Sequence, residues 1–465
     1  MDAHKPKVGV VFTLLELYRE TSPEMPGEFA RMWRGIVEGM LAPAADLHFA
    51  DVAHTPDEFS AAVASCEVAD CDLLIVLPMA YAPSGSAREA LCSTKLPLLL
   101  VSTCRDATLP FDMSVDHIMA NHALHGVQDL ANVLARAGRS FEILADHASD
   151  SAFRERLLGC ARAAAGARVL RTGRAGRIGA PFEGMLDFSF DPDGLTEALG
   201  FEVIEIAPAE LASSAKAIAP ERVAELFDWA KEEFEIDDAL GEEEFAVSAR
   251  WGLALEDLVA DNRLDAITMN FVVLSAAGAE TMPFLGASRL MARGIGYAGE
   301  SDVLTAALVA AVARTAGEVT FTEMFCPDYR RAEVLLSHMG ECNFALANPK
   351  SPVRLVAKEF AFGECAPPAV PVFQLRPGPV TLLSLTEWPG EGFRLVAALA
   401  EVVDAPEHPN LDSPHTRLSV GGDLGSFLVN YSRAGGTHHI ALAYGDLRED
   451  FATLARFCGI GFVVS

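Results

Sequence analysis

The sequence has no long uninterrupted hydrophobic run, although 51% of its residues are apolar. Its longest apolar segments, LLIVLP and LPLLLVS, are far shorter than the roughly 20 residues that a helix needs to span a bilayer. The N-terminal residues MDAHKPKVGVVF lack the basic, apolar and small-residue parts of a signal peptide. We therefore predict a cytoplasmic protein with no membrane partner.

Basic charge is also scarce. The sequence has 36 Lys and Arg residues against 65 Asp and Glu residues, so its formal net charge is −29. This charge repels phosphate backbones, which argues against nucleic acid as a partner. The nine cysteines are scattered and form no CxxC pair, which favours reduced thiols over a cysteine zinc site.

The first third of the sequence alternates strand and helix patterns. Residues 8–13, 73–78 and 96–102 are apolar runs typical of buried strands, and residues 121–138 and 151–165 have helical periodicity. This alternation predicts a parallel sheet that is covered by helices on both faces.

The remaining two thirds differ from each other in pattern. The Gly- and Arg-rich stretch 171–178 predicts a loop and a boundary, and further helix and strand patterns follow as far as residue 317. The last third contains short strand patterns broken by Pro and Gly, including one at 426–431. We therefore predict an α/β protein with two doubly wound parallel-sheet domains (1–172 and 173–317) and a mainly antiparallel, barrel-like C-terminal domain (318–465).

Five polar residues lie in contexts that indicate a site: Glu300 after GIGYAG, Glu323 in VTFTEMF, His338 in LLSHMG, and His438 and His439 in AGGTHHIAL. Carboxylates and imidazoles suit a divalent cation such as Mn²⁺, and carboxylates also move protons. Taken singly, each has an ordinary explanation. Glu300 could stabilise a helix start, and each histidine could be a core or turn residue.

Strand alternation adds two expectations about these residues. Glu323 would share one face of its strand with Phe321 and Phe325, and its ordinary explanation is an ion pair with a nearby arginine. His438 and His439 would face opposite sides of theirs, so we expect only one of them to enter a given pocket.

Taken in order, these motifs resemble those of the L-arabinose isomerase family and, more distantly, the L-fucose isomerases. Glu300 matches the family's first metal carboxylate, and Phe321-Thr322-Glu323 matches its Phe-x-Glu motif. His338-Met339 matches its His-Met motif, and residues 435–439 match its Gly-Gly-x-His-His motif. The resemblance implies the metal ligands Glu300, Glu323, His338 and His439. His438 would then contact substrate or orient a ligand, and the choice between His438 and His439 as ligand stays open.

The resemblance is fainter in the first half of the chain. The segment NHALHG matches a family helix start whose histidine reaches the site of an adjacent subunit, which implies His125 as a substrate contact. Met185 matches a methionine that lines the family's pocket. Leu15-Glu16 replaces a family Gln-His pair, so the identity of the sugar does not carry over. A shared site implies a homo-oligomer, as trimers or hexamers.

The resemblance implies a metal-dependent aldose–ketose isomerase for a pentose or hexose, of the L-arabinose/L-ribulose or D-galactose/D-tagatose type. The cation would be Mn²⁺, with Co²⁺ or Mg²⁺ as alternatives. Glu300 and Glu323 would carry protons through a cis-enediol, without an assignment of which is the base. Two alternatives stay open: a sugar-binding or regulatory relative without turnover, and a metal-dependent hydrolase or lyase.

Overall fold

The computed structural model describes residues 5–361 and 365–465. They divide into two compact units, one of residues 5–167 and 452–459 and one of residues 168–451 and 460–465, the latter without 362–364. Among the described residues, no helix combines the length and the hydropathy needed to cross a membrane. The three-domain division expected from the sequence stays a prediction.

The N-terminal unit is built on a parallel sheet, as predicted. Its strands run in the order β2-β1-β3-β4-β5 and are β1 (Lys7–Thr13), β2 (Asp46–Phe49), β3 (Leu73–Pro78), β4 (Leu98–Ser102) and β5 (Glu142–Ala145). The helices in this part of the chain are α1 (Leu17–Thr21), α2 (Met25–Leu41), α3 (Pro56–Val68), α4 (Arg88–Ser93), α5 (Val115–Asn121), α6 (Leu124–Arg136) and α7 (Ser151–Thr172). The single helix predicted over 121–138 is wrong at its start, because His122 leaves the helical backbone region and separates α5 from α6.

The larger unit begins with a second parallel sheet, in the order β10-β9-β6-β7. The strands are β6 (Arg174–Ile178), β7 (Glu202–Ile206), β8 (Glu235–Ile236), β9 (Ala266–Met269) and β10 (Gly296–Gly299), and β8 belongs to a separate small sheet. The helices are α8 (Pro192–Ala198), α9 (Pro208–Ala217), α10 (Pro220–Glu233), α11 (Glu242–Asp261), α12 (Phe271–Ala276), α13 (Phe284–Ala292) and α14 (Val303–Ala316).

The loop predicted at 171–178 is wrong, because most of it is strand β6 inside this sheet. Its arginines form ion pairs with the neighbouring strand β7: Arg174 pairs with Glu202, and Arg177 pairs with Glu205. Opposite charges on adjacent strands stabilise their pairing, so charge in this stretch is compatible with a sheet.

The C-terminal part of the larger unit contains a closed antiparallel barrel, which confirms the predicted fold class. The strands are β11 (Val319–Asp328), β12 (Glu333–Ser337), β13 (Arg354–Ala357), β14 (Ala369–Val372), β15 (Gly378–Trp388), β16 (Gly392–Val402), β17 (His415–Ser419), β18 (His439–Tyr444) and β19 (Gly461–Val464). Six of them follow the order β15-β18-β11-β12-β17-β16, and β15 pairs with β16 to close the ring. Strand β19 adds to β16 in parallel, and β13 and β14 join β8.

Two helices, α15 (Leu424–Ala434) and α16 (Arg448–Cys458), lie between the last strands of the chain. The strand predicted at 426–431 is wrong, since these residues belong to α15. Asp423 caps this helix by accepting a hydrogen bond from the backbone N–H of Ser426. Its buried residues, Leu424 and Tyr431, are seven apart, which is a helical period.

Candidate metal centre

Strand β11 places Glu323 between two histidines. Glu323 is directly opposite Ser337 on β12 and opposite His439 on β18. His338 follows Ser337, so both imidazoles lie beside the same carboxylate. Antiparallel register therefore brings together residues that are far apart in the sequence.

Glu300 reaches this group from the end of β10. Glu300 and Ser301 both have left-handed backbones, with φ of 54° and 61°. Such strain in residues other than glycine persists only where the surroundings enforce it. Here the Ser301 hydroxyl donates to the carbonyl of Ile178 at 3.1 Å, and the Phe182 N–H donates to the Glu300 carbonyl at 3.1 Å.

Gly299 makes room for one of the imidazoles. A Cβ atom at this position would lie 3.0 Å from Cε1 and 3.4 Å from Nε2 of His338. Side chains rarely tolerate contacts this close, so a glycine here allows His338 to approach the Glu300 turn.

The carboxylate of Glu300 lies between two imidazoles. Its Oε2 atom is 3.1 Å from Nε2 of His439 and 3.6 Å from Nε2 of His338. Glu323 lies further out, 3.5 Å from His439 Nε2 and 3.9 Å from His338 Nε2. The side chains of Glu300, His338 and His439 are 6% exposed or less, whereas that of Glu323 is 18% exposed.

Two atoms at the centre have no hydrogen bond. Among the described residues, neither Glu300 Oε2 nor His439 Nε2 has a hydrogen-bond partner, although both are buried. An unsatisfied buried polar atom costs about 1–3 kcal/mol, and a bound ion is one way to satisfy it. Two carboxylates and two imidazoles are suitable ligands for Mn²⁺, Co²⁺ or Mg²⁺. The residues present therefore fit a divalent cation.

A buried carboxylate orients each of the two enclosed imidazoles. Nδ1 of His338 is 2.7 Å from Oε2 of Glu341, whose other oxygen accepts a hydrogen bond from the Tyr297 hydroxyl at 3.0 Å. Nδ1 of His439 is 2.9 Å from Oδ2 of Asp302. Metal-binding histidines commonly carry such a partner, because it leaves the lone pair of Nε2 directed at the ion.

Electrostatics in the cluster favour charged groups. Burial would raise the pKa of Glu300, but the imidazoles of His338 and His439 outweigh it and hold this pKa below its ordinary value. Burial would lower the pKa of His439, but Asp302 and Glu300 raise it to about 9. The same balance, with Glu341 as the main carboxylate, raises the pKa of His338.

His438 also lies against Glu323, with Nε2 3.4 Å from its Oε1 atom. The expectation that only one of the two adjacent histidines would enter a pocket is wrong, because His438 precedes β18 and is not bound by strand alternation. Nδ1 of His438 is 2.7 Å from Asp187, and its backbone N–H donates to the same oxygen at 2.9 Å. The ring of Phe188 stacks on His439 at 5.3 Å.

The sequence also allowed an ordinary ion pair between Glu323 and a nearby arginine. This expectation is wrong, because Glu323 pairs with histidines and Arg331 pairs with Asp328. Phe321 shares the face of Glu323, as predicted, and its ring packs against His338 and His439. Phe325 does not, because a bulge follows Met324 and leaves Phe325 exposed.

The two remaining residues predicted to contact substrate, Met185 and His125, belong to different units. Met185 is half-buried in the loop that carries Asp187, and its N–H donates to the Phe182 carbonyl. His125 belongs to the N-terminal unit, where its ring stacks on Tyr81 with centroids 4.5 Å apart. Their role as substrate contacts stays a prediction.

Sequence reasoning missed the three carboxylates that orient the imidazoles. Asp302 is the N-cap of α14, and an Asp before an apolar helical run is a recognisable signal. Glu341 is three residues after His338, a spacing that could have drawn attention. Asp187 had no local signal, because only the tertiary structure brings it to His438.

Three domain models of one known protein family match successive parts of the chain. Residues 27–172 match the L-arabinose isomerase N-terminal domain, 195–318 the central domain and 318–461 the C-terminal domain. The chain belongs to the L-arabinose isomerase family. Glu300 lies within the central-domain match, and Glu323, His338 and His439 lie within the C-terminal match. Asp187 lies between the matched segments.

Individual relatives in the L-arabinose isomerase family are distant but cover most of the chain. The L-arabinose isomerase of Herpetosiphon aurantiacus is 25% identical, over 89% of this chain and 85% of its own. That of Acidothermus cellulolyticus is 27% identical, over 83% and 78%. That of Saccharophagus degradans is 25% identical, over 95% and 91%. A periplasmic solute binding protein of Actinobacillus succinogenes with bound D-allose is 13% identical over 67% of this chain and 92% of its own, with a TM-score of 0.19, which supports no structural argument.

Proposed function

We propose that this protein is a metal-dependent aldose–ketose isomerase that acts on a pentose or hexose, of the L-arabinose/L-ribulose or D-galactose/D-tagatose type. The observation that carries the proposal is the enclosed group of Glu300, His338 and His439, with Glu323 at its more exposed side. Membership of the L-arabinose isomerase family supports the same reaction class.

The metal ligands in this proposal are Glu300, Glu323, His338 and His439. A divalent cation, Mn²⁺ first and Co²⁺ or Mg²⁺ as alternatives, supplies Lewis-acid polarisation of a sugar's carbonyl and adjacent hydroxyl when bound. Glu341 and Asp302 keep the two imidazoles in the orientation that binding needs.

Glu323 is our candidate for the base. Its side chain is 18% exposed, whereas that of Glu300 is 6% exposed and lies between two imidazoles. In the proposed reaction Glu323 removes the proton on C2 of the open-chain aldose and returns it to C1, while the hydroxyl proton on O2 moves to O1. The intermediate is a cis-enediol, and we assign the transfer of the hydroxyl proton from O2 to O1 to the second glutamate, Glu300.

Substrate binding is assigned to three further residues. His438 is 37% exposed beside Glu323, where its ring can contact a sugar hydroxyl. Met185 and His125 are proposed to complete the pocket, His125 from an adjacent copy in a trimer or hexamer. The proposal places this homo-oligomer in the cytoplasm.

Ketose formation from a panel of aldopentoses and aldohexoses tests the proposal. The protein is assayed after EDTA treatment and again after adding back Mn²⁺, Co²⁺ or Mg²⁺. We expect activity only with metal, and on one or a few sugars of the panel. L-arabinose and D-galactose are the first sugars to try.

A Glu300→Gln/Glu323→Gln double variant is the control for catalysis. Full ketose formation by this variant would contradict the proposal. Mn²⁺ binding by the unmodified protein without turnover of any sugar would instead indicate a sugar-binding relative, and release of a fragment would indicate a hydrolase or lyase.

A further inference from the structure

Glu323 belongs to a second group of ligand atoms beside the enclosed one. Its Oε1 atom is 3.4 Å from Nε2 of His438 and 3.5 Å from Nε2 of His439. These ligand atoms lie within 4.8 Å of one another, as do those of Glu300, His338 and His439. Each group could therefore surround one cation.

His438 is held in the same way as the two enclosed histidines. Asp187 accepts one hydrogen bond from Nδ1 of the His438 ring, at 2.7 Å, and another from the His438 backbone N–H, at 2.9 Å. This double contact fixes the ring, and Nε2 is left facing Glu323. A carboxylate at one ring nitrogen, with the other nitrogen available to bind the ion, is the usual arrangement of a metal-binding histidine.

The two groups share one nitrogen, Nε2 of His439. This atom is buried, offers one lone pair when the imidazole is neutral, and has no hydrogen-bond partner among the described residues. One lone pair binds one ion at a time, so both groups cannot be complete at once. They differ in access, because Glu323 and His438 are 18% and 37% exposed, whereas Glu300 and His338 are 6% and 3% exposed.

We propose that the centre offers a single divalent cation two alternative positions. The inner position is formed by Glu300, His338 and His439 with Glu323 as the fourth ligand, and the outer position by Glu323, His438 and His439. Asp187 is the positioning residue of the outer position. This inference rests on the metal-binding part of the proposed function and does not depend on the isomerisation.

The proposal explains why three imidazoles, each paired with a carboxylate, converge on two glutamates. A cation that arrives from solvent meets the more exposed Glu323 and His438 first. In the inner position Glu300 and His338 would replace His438 as ligands, and His439 would be retained. Glu323 lies within 4 Å of both enclosed imidazoles, so it stays close to the ion in either position.

Mn²⁺ binding to variants of the full chain tests this inference. Binding is measured by isothermal titration calorimetry and by the electron paramagnetic resonance signal of free Mn²⁺. In Glu300→Gln the inner position is incomplete, and we expect one Mn²⁺ per chain at the outer position with reduced affinity. Adding His438→Gln to this variant removes a ligand of the outer position and should weaken the remaining binding at least tenfold or abolish it.

The matched control is Glu300→Gln with His117→Gln, which changes a histidine of the N-terminal unit that belongs to neither ligand group. Its affinity should equal that of Glu300→Gln alone. Asp187→Asn in the Glu300→Gln background should weaken binding, and Asp187→Glu should partly restore it, because a carboxylate again faces His438.

Two results would overturn the inference: a folded Glu300→Gln protein that binds no Mn²⁺, or a Glu300→Gln/His438→Gln protein with the affinity of the single variant. Circular dichroism establishes folding, and His338→Gln provides the same comparison if Glu300→Gln does not fold. An unmodified protein that binds Mn²⁺ but isomerises no sugar contradicts the proposed function alone. The variant series then still decides this inference.

Discussion

The carboxylate of Asp302 joins the start of a helix to an imidazole of the candidate metal centre. One of its oxygens accepts a hydrogen bond from the backbone N–H of Thr305 at 2.9 Å, and the other lies 2.9 Å from Nδ1 of His439. The beginning of α14 and the orientation of a candidate ligand therefore depend on the same side chain.

Asp302→Asn should separate these two roles. Asparagine caps helices about as well as aspartate, so α14 should keep its N-cap, and any loss of stability should come from the buried pair with His439. The charge that orients His439 is lost, and Mn²⁺ affinity measured by calorimetry should fall about 10- to 100-fold. Asp302→Ala should show the same loss of affinity and also lose about 1 kcal/mol of stability from the missing cap. Unchanged Mn²⁺ affinity in Asp302→Asn would show that this carboxylate does not support binding.

Gly299→Ala should damage the metal centre more than the fold. The added methyl would lie 3.0 Å from Cε1 of His338, so the imidazole must move away from Glu300. We expect Mn²⁺ affinity and ketose formation to fall at least tenfold, an effect of about 1.4 kcal/mol. Gly35→Ala is the control, because its methyl meets no atom within 4 Å. In the interior of helix α2 this control should leave Mn²⁺ binding unchanged and add up to about 1 kcal/mol of stability.

Gly435→Ala should destabilise the protein through its backbone. Gly435 ends α15 in a left-handed conformation with φ of 93°, which costs other residues about 1–2 kcal/mol. The ring of Trp388 also occupies the space of the new methyl. Urea unfolding should show a loss of at least about 1 kcal/mol. Gly422→Ala, in open space just before the same helix, should change stability by less than about 0.5 kcal/mol. Equal stability of the two variants would argue against this account.

Metal removal should lower the thermal stability of the protein. A ligand that binds only the folded state stabilises it by about 2.7 kcal/mol at a concentration 100 times its Kd. The melting temperature should therefore fall after EDTA treatment and recover with Mn²⁺. A Glu300→Gln/His338→Gln/His438→Gln variant, which breaks both ligand groups, should show no recovery. Recovery in that variant would mean that Mn²⁺ stabilises this acidic chain without the proposed centre.

Much of the fold was predictable because it depends on local patterns. Apolar runs that alternate with amphipathic helices predicted the parallel sheets, and Pro- and Gly-punctuated strands predicted the antiparallel barrel. The failures came where local pattern and tertiary context disagree. Residues 426–431 contain residues common in strands but form a capped helix, and the arginines of 174–177 pair across strands in a stretch taken for a loop.

The sequence by itself determined the kinds of ligand and their order along the chain. Glu300, Glu323, His338 and the pair His438–His439 were identifiable because each lies in a short motif. Only the tertiary structure decided how they meet. Antiparallel register places His439 opposite Glu323. His438 can face the same carboxylate because it precedes strand β18 and does not follow the alternation of side chains within it. It also supplied Asp187, 251 positions from the histidine that it holds. Local sequence cannot encode such a contact, because it exists only after the parallel sheet and the barrel have folded together within the larger unit.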